Sequence, residues 1–217
     1  MSDLDKAVRT VVHECMGVRP NEEVLVICNP ATRELGDALR NEAEAIGAHA
    51  VLAVMTERSS HAGEPPATVA EAMVAADVLL APTVQSLSHT AARKRATESG
   101  TRTATLPGAT VEMLSRVMSD DMEKLGHRGH RVAELLDRGT EARLTCDHGS
   151  NLKLGLQGRV AIPDAGELTE TGAFGNLPCG EGFIAPATAD YRPTDPQIAF
   201  HLGRFIEQVR AIPADAI

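Results

Sequence analysis

Apolar and polar residues alternate with two different periods along this chain, and the switches between them predict its elements. Leu4, Ala7, Val8, Val11, Val12 and Cys15 recur at i, i+3, i+4, i+7 spacing, which predicts a helix over 3–18 with one buried face. Residues 23–28, Glu-Val-Leu-Val-Ile-Cys, are instead a short, nearly unbroken apolar run that stops at Asn29-Pro30, the pattern of a strand covered on both faces. The helical period returns over 31–46 and ends at Gly47, where a C-cap glycine belongs. Strands at 50–55, 77–81 and 103–106 then alternate with helices at 66–76 and 88–99. Strand, helix, strand order with short connections implies parallel pairing and right-handed crossovers.

The pattern changes after Gly108. Two helices are predicted at 111–118 and 120–136, joined at Ser119-Asp120-Asp121 with Ser119 as an N-cap. Residues 141–146 then read as a strand, 147–151 as a turn and 152–156 as the returning strand, whose alternation puts one face in a core and one in water. A proline-containing loop over 187–196 leads to a helix over 197–212, with Ile198, Leu202, Phe205, Ile206, Val209 and Ile212 on one face. That face suits packing on its own domain or a homodimer interface, and the sequence does not choose. The expected fold class is α/β. An N-terminal open parallel sheet with flanking helices occupies 1–139, and a smaller, partly antiparallel β-containing domain with a C-terminal helix occupies 140–217.

Aromatic placement supports that division. Phe174, Phe183, Tyr191, Phe200 and Phe205 all lie in the last fifth of the chain, so the N-terminal core must be built from Ala, Val, Leu, Ile and Met. A net charge of -9 argues against nucleic acid or an anionic membrane surface as partner. The acidic first residues lack an apolar signal segment, and no apolar run approaches membrane-spanning length, so the expected address is the cytoplasm. Cys15, Cys28, Cys146 and Cys179 form no C-x-x-C pair and are expected to be reduced and buried. Cys179 stands apart as a candidate reactive or ligating thiol, because it lies two residues before Glu181.

The predicted strand ends carry neither G-x-G-x-x-G nor G-x-x-x-x-G-K-[ST], so nucleotide binding has no specific support. His127 and His130 are spaced to share a helix face, but Gly129 weakens that helix, and an exposed or partly packed helix accounts for them better than a metal site. The candidate chemistry lies in Phe174-Gly175-Asn176-Leu177-Pro178-Cys179-Gly180-Glu181-Gly182-Phe183-Ile184-Ala185-Pro186. Glycines on both sides of Glu181 would let the backbone carry that carboxylate close to a ligand or metal ion. A Gly/Pro-rich turn with an exposed Glu uses the same residues.

This segment, with the hairpin Leu144-Thr145-Cys146-Asp147-His148-Gly149-Ser150-Asn151-Leu152-Lys153-Leu154, resembles the thermophilic metallo-aminopeptidase family of aminopeptidase T, aminopeptidase S and leucyl aminopeptidase-like proteins. The resemblance implies a hydrolase that removes N-terminal residues from peptides at a two-metal site of zinc, cobalt or manganese, with Glu181 as a metal ligand. It also implies that the remaining ligands, a second Glu, two His, a Tyr and an Asp, come from a region beyond this motif. Tyr191, His201 and Glu207 are tail residues of ligand type that could substitute, and His201 fits a solvated helix face. Two alternatives stand beside the peptidase. One is an iron-dependent, ring-opening dihydroxypyridine dioxygenase, since those enzymes resemble the same family; the other is a shortened, non-catalytic relative that binds a partner or small molecule.

Overall fold

A computed structural model describes residues 2–118, 122–146 and 150–191 of the 217. The chain begins with α1 (Asp3–Arg9), which runs into a π-helical turn at Thr10–Cys15. It continues through β1 (Glu23–Cys28), α2 (Arg33–Ile46), β2 (His49–Val54), α3 (Ala67–Ala75), β3 (Val78–Ala81), α4 (Ala91–Glu98) and β4 (Arg102–Thr105). Then come α5 (Val111–Val117), α6 (Met122–Arg138), β5 (Glu141–Thr145), β6 (Asn151–Gly155), β7 (Ile162–Asp164), β8 (Phe174–Asn176), β9 (Glu181–Phe183) and β10 (Thr188–Tyr191).

A parallel sheet of order β2-β1-β3-β4-β8 forms the larger layer, so the expected α/β class with an open parallel sheet holds. The unbroken apolar runs have a direct cause. Val24, Val26, Val78, Leu80 and Ala104 point to one side of the sheet and join Val8, Val11, Leu35, Leu39 and Leu114 in one core. Leu25, Ile27, Leu79 and Ala81 point to the other and join Met73, Leu87, Ala92 and Ala96. Alternate strand residues face opposite ways, and with helices on both faces the buried positions of β1 and β3 are apolar on each side. Gly47 ends α2 with φ +97°, as its expected capping role requires.

Contacts group residues 1–126 with 164–180, and residues 127–163 with those from 181 onward, as two compact units. In the second, β6 pairs antiparallel with both β5 and β10. Strands β7 and β9 form a separate two-stranded sheet. Three short strands were not read from the sequence, and one of them corrects an expected loop. Residues 174–176 form the fifth parallel strand, 181–183 form β9, and the expected loop at 187–196 contributes strand β10. Each of these strands is three or four residues long, too short for a periodicity to show. Ser119, the turn at 147–149, and the helix at 197–212 with His201 and Glu207 lie outside the described residues. Among the described residues no helix is long and apolar enough to cross a membrane.

Helix α4 starts where two side chains satisfy its first amides. Thr90 Oγ1 accepts from Arg93 N at 3.1 Å, and the Glu64 carboxylate accepts from Ala91 N at 2.6 Å and Ala92 N at 3.2 Å. Exposed amides at a helix start are worth capping, so Glu64→Ala is expected to cost about 1 kcal/mol in urea unfolding.

Candidate functional site

The glycines beside Glu181 serve packing. Gly180 holds φ +115°, a left-handed conformation, and a Cβ there would lie 2.6 Å from Leu125 Cδ2 on α6. A Cβ on Gly182 would lie 2.9 Å from both Ala133 N and Gly129 O. Strand β9 can therefore run this close to the α6 backbone only because the strand carries no side chain at that crossing. Gly129, which reads in sequence as a weakness in the helix, is buried at this approach.

Alternation along β9 turns Glu181 and Phe183 away from α6, and both are exposed. Phe183 lines a cleft of about 310 Å³ with Gly158, Arg159, Val160, Ile162, Ile184 and Ala185. Arg159 is fixed in it by Nε donating to Ala185 O at 2.7 Å. The cleft thus holds an aromatic ring and an anchored guanidinium, and the Glu181 carboxylate lies on the strand face that presents Phe183. Sequence reading found Glu181 but not Arg159, Val160 or Ile162. The only local signal was the turn at Gly158, whose φ is +78°.

Upstream, Asn176 ties β8 to the sheet. Its Oδ1 accepts from Thr105 Oγ1 at 2.5 Å and from Ser88 Oγ at 2.9 Å. Arg93 stacks on Phe174 with its guanidinium carbon 4.0 Å from the ring centre. A second cleft, of about 420 Å³, lies beyond the carboxyl ends of β1, β3 and β4 and is lined by Thr32, Val84 and Thr110 among others. Two of the polar groups at its rim hold loops together. Thr32 Oγ1 donates to Pro82 O at 2.6 Å, and Val84 N donates to Asn29 Oδ1 at 2.8 Å.

The remaining candidates separate. His127 and His130 are exposed on α6, and among the described residues no three His, Cys, Asp or Glu side chains come together to hold a metal ion. The Glu181 carboxylate, exposed on β9, makes no hydrogen bond or ion pair to another described residue. Cys15 and Cys28 are buried as expected, but Cys146, at the end of the thin antiparallel sheet, is exposed. Burial raises the Cys28 thiol. Cys179 is half-buried beside Cys15; the interaction between the two thiols, with burial, pushes the Cys15 thiol far up, whereas on Cys179 the same interaction outweighs burial and holds the thiol below its ordinary value.

The open parallel sheet with flanking helices defines an α/β protein, and comparison with known proteins narrows the class. Residues 3–192 match the family described as NicX, 2,5-dihydroxypyridine 5,6-dioxygenase, and the protein belongs to that family. A solved structure of 2,5-dihydroxypyridine dioxygenase from Pseudomonas putida KT2440 shares the fold, with a TM-score of 0.67 and 19% identity over 86% of this chain. The chain spans 57% of the length of that structure. A search of curated proteins finds no match.

These findings overturn the aminopeptidase reading. Neither the family nor the structural match points to a peptidase, so the expected hydrolase and protease function and the peptide substrate are wrong for this chain. The physical reason lies in the motif itself. Asn176, Gly180 and Gly182 place two short strands and clear a helix, so their pattern reports a scaffold and leaves the reaction open. The coarser expectation of a metal cofactor agrees with a dioxygenase family, which is metal-dependent.

Proposed function

We propose that the protein takes part in oxygen-dependent ring opening of a dihydroxypyridine or closely related hydroxylated N-heteroaromatic, with iron as the metal. The family match over residues 3–192 carries this reading. The cleft at β9 supports it: about 310 Å³ is at the small end of the roughly 300–1,000 Å³ that small-molecule sites occupy. In the proposed arrangement a flat ring lies against Phe183, an ionised ring oxygen faces Arg159, and Glu181 accepts the hydrogen of a ring hydroxyl. Glu181 is exposed on the strand face that presents Phe183, and in this arrangement its carboxylate acts on the substrate.

Oxygen uptake by the purified protein with ferrous iron and 2,5-dihydroxypyridine tests the activity, one O₂ being consumed per ring opened. Phe183→Ala is expected to raise KM about tenfold, the equivalent of one lost aromatic contact. Glu181→Gln is expected to raise KM while leaving bound iron unchanged. No oxygen uptake, together with no calorimetric binding of the diol under anaerobic conditions, would refute the reading; loss of iron in Glu181→Gln would return that residue to the metal.

A further inference from the structure

We propose that Cys15 and Cys179 are a covalent oxidation site, two thiols placed to close into a reversible disulfide. They come from opposite ends of the described chain. Cys15 ends the π-helical turn after α1, and Cys179 lies between β8 and β9. The segment 164–168 is bonded beside both: Leu168 N donates to Cys15 O at 2.9 Å, and Gly180 N donates to Asp164 O at 2.8 Å. Between these bonds Gly166 takes φ +74°, and its missing side chain makes room for both sulfurs. A Cβ at 166 would overlap Cys179 Sγ and lie 3.5 Å from Cys15 Sγ and 3.2 Å from Met122 Cε. Both sulfurs therefore border the one small space that a side chain at 166 would fill.

Cys28 is buried with its sulfur 3.0 Å from where a Cβ on Gly36 would be, and Cys146 is exposed at the end of β5.

A hydroperoxide is the oxidant the pair would meet. Half-buried Cys179 is the accessible sulfur: it takes one peroxide oxygen to become a sulfenic acid, and the first water leaves. The buried Cys15 sulfur then attacks Cys179, the S–S bond forms as the S–O bond breaks, and the second water leaves with the Cys15 proton. Two thiols are oxidised by two electrons and one hydrogen peroxide is reduced to two waters. The product fastens the segment that leads into Glu181 to the end of the first helix. This site is independent of the reaction proposed above.

The test is a peptide map of the folded protein in a Cys146→Ser background. The protein is exposed to equimolar hydrogen peroxide, alkylated with N-ethylmaleimide and digested without reductant. The expected result is a linked peptide joining Cys15 to Cys179, two hydrogens lighter than the sum of its parts and lost on treatment with dithiothreitol. In Cys15→Ser the sulfenic acid on Cys179 is expected to persist and to be captured by dimedone. Recovery of both peptides alkylated after peroxide, or of Cys179 only as sulfinic or sulfonic acid, overturns the proposal. The linked peptide is read without the Cys15→Ser variant, so poor folding of that variant does not change what the peptide map decides.

Discussion

Arg102→Ala is expected to lower the unfolding free energy by about 3–5 kcal/mol, the cost of leaving one member of a buried ion pair uncompensated. Arg102 at the start of β4 reaches Glu22 just before β1, with NH1 at 3.1 Å from Oε1 and NH2 at 2.7 Å from Oε2. Their side chains are only 7% and 16% exposed. The pair clamps the amino ends of strands that flank β3, where Glu23 N also donates to Asp77 Oδ2 at 2.9 Å and Arg102 N to Asp77 O at 3.0 Å. Removing Arg102 strands the Glu22 carboxylate in a place water reaches poorly. Changing both residues together, as Glu22→Leu with Arg102→Met, is expected to cost much less than either single change, because no charge is left behind. Urea denaturation of the four proteins gives the coupling energy directly, and additive single and double effects would contradict the clamp.

The same pair sets a pH dependence. Burial is the largest single influence on Glu22 and favours its neutral form, but the Arg102 hydrogen bond, the Arg19 amide and the charges of both arginines together outweigh it. The folded carboxyl is therefore held below its ordinary value of 4.5. A depressed acid contributes stability that is present above the unfolded value and lost as pH falls through the folded one. Stability should accordingly decline below about pH 4.5, and Glu22→Gln should flatten that part of the curve.

Gly182→Ala is the second large effect, expected at about 1–3 kcal/mol, with Gly180→Ala similar. The atoms that a new Cβ would meet at 182 are the backbone Ala133 N and Gly129 O of α6, which cannot rotate aside. At 180 the side chain of Leu125 is in the way, and φ +115° is strained for any L residue. Gly158 is the control: its φ is +78° but nothing lies within 4 Å of its would-be Cβ. Gly158→Ala should cost only the left-handed conformation, about 1 kcal/mol. Thermal unfolding separates the cases, and equal losses at 158 and 182 would show that the approach to α6 carries no weight.

Much of the parallel sheet was legible because its cause is local. Val24 to Ile27 and Val78 to Ala81 are apolar at every position, and only a strand covered on both faces needs that. Phe174-Gly175-Asn176 could not be read the same way. It is a strand because it pairs with Thr103, Ala104 and Thr105, and its glycine is demanded by Leu168, whose Cδ2 would lie 2.9 Å from a Cβ at 175. The functional motif misled for a related reason. Glycines that open space for a ligand and glycines that open space for a helix look identical until the neighbour is known. The cleft was illegible as well, since Arg159 and Phe183 are brought together only by the fold.

The sequence by itself determined the α/β class, the succession of the first four strands along the chain and the capping of α2 at Gly47. Each depends on hydrophobic periodicity or on a backbone conformation that one residue favours. Only the tertiary structure decided that Gly180 and Gly182 face α6, that Glu22 and Arg102 clamp the sheet, and that Cys15 meets Cys179. Those outcomes depend on which distant surfaces come within a few ångströms of each other, and no local pattern encodes that distance.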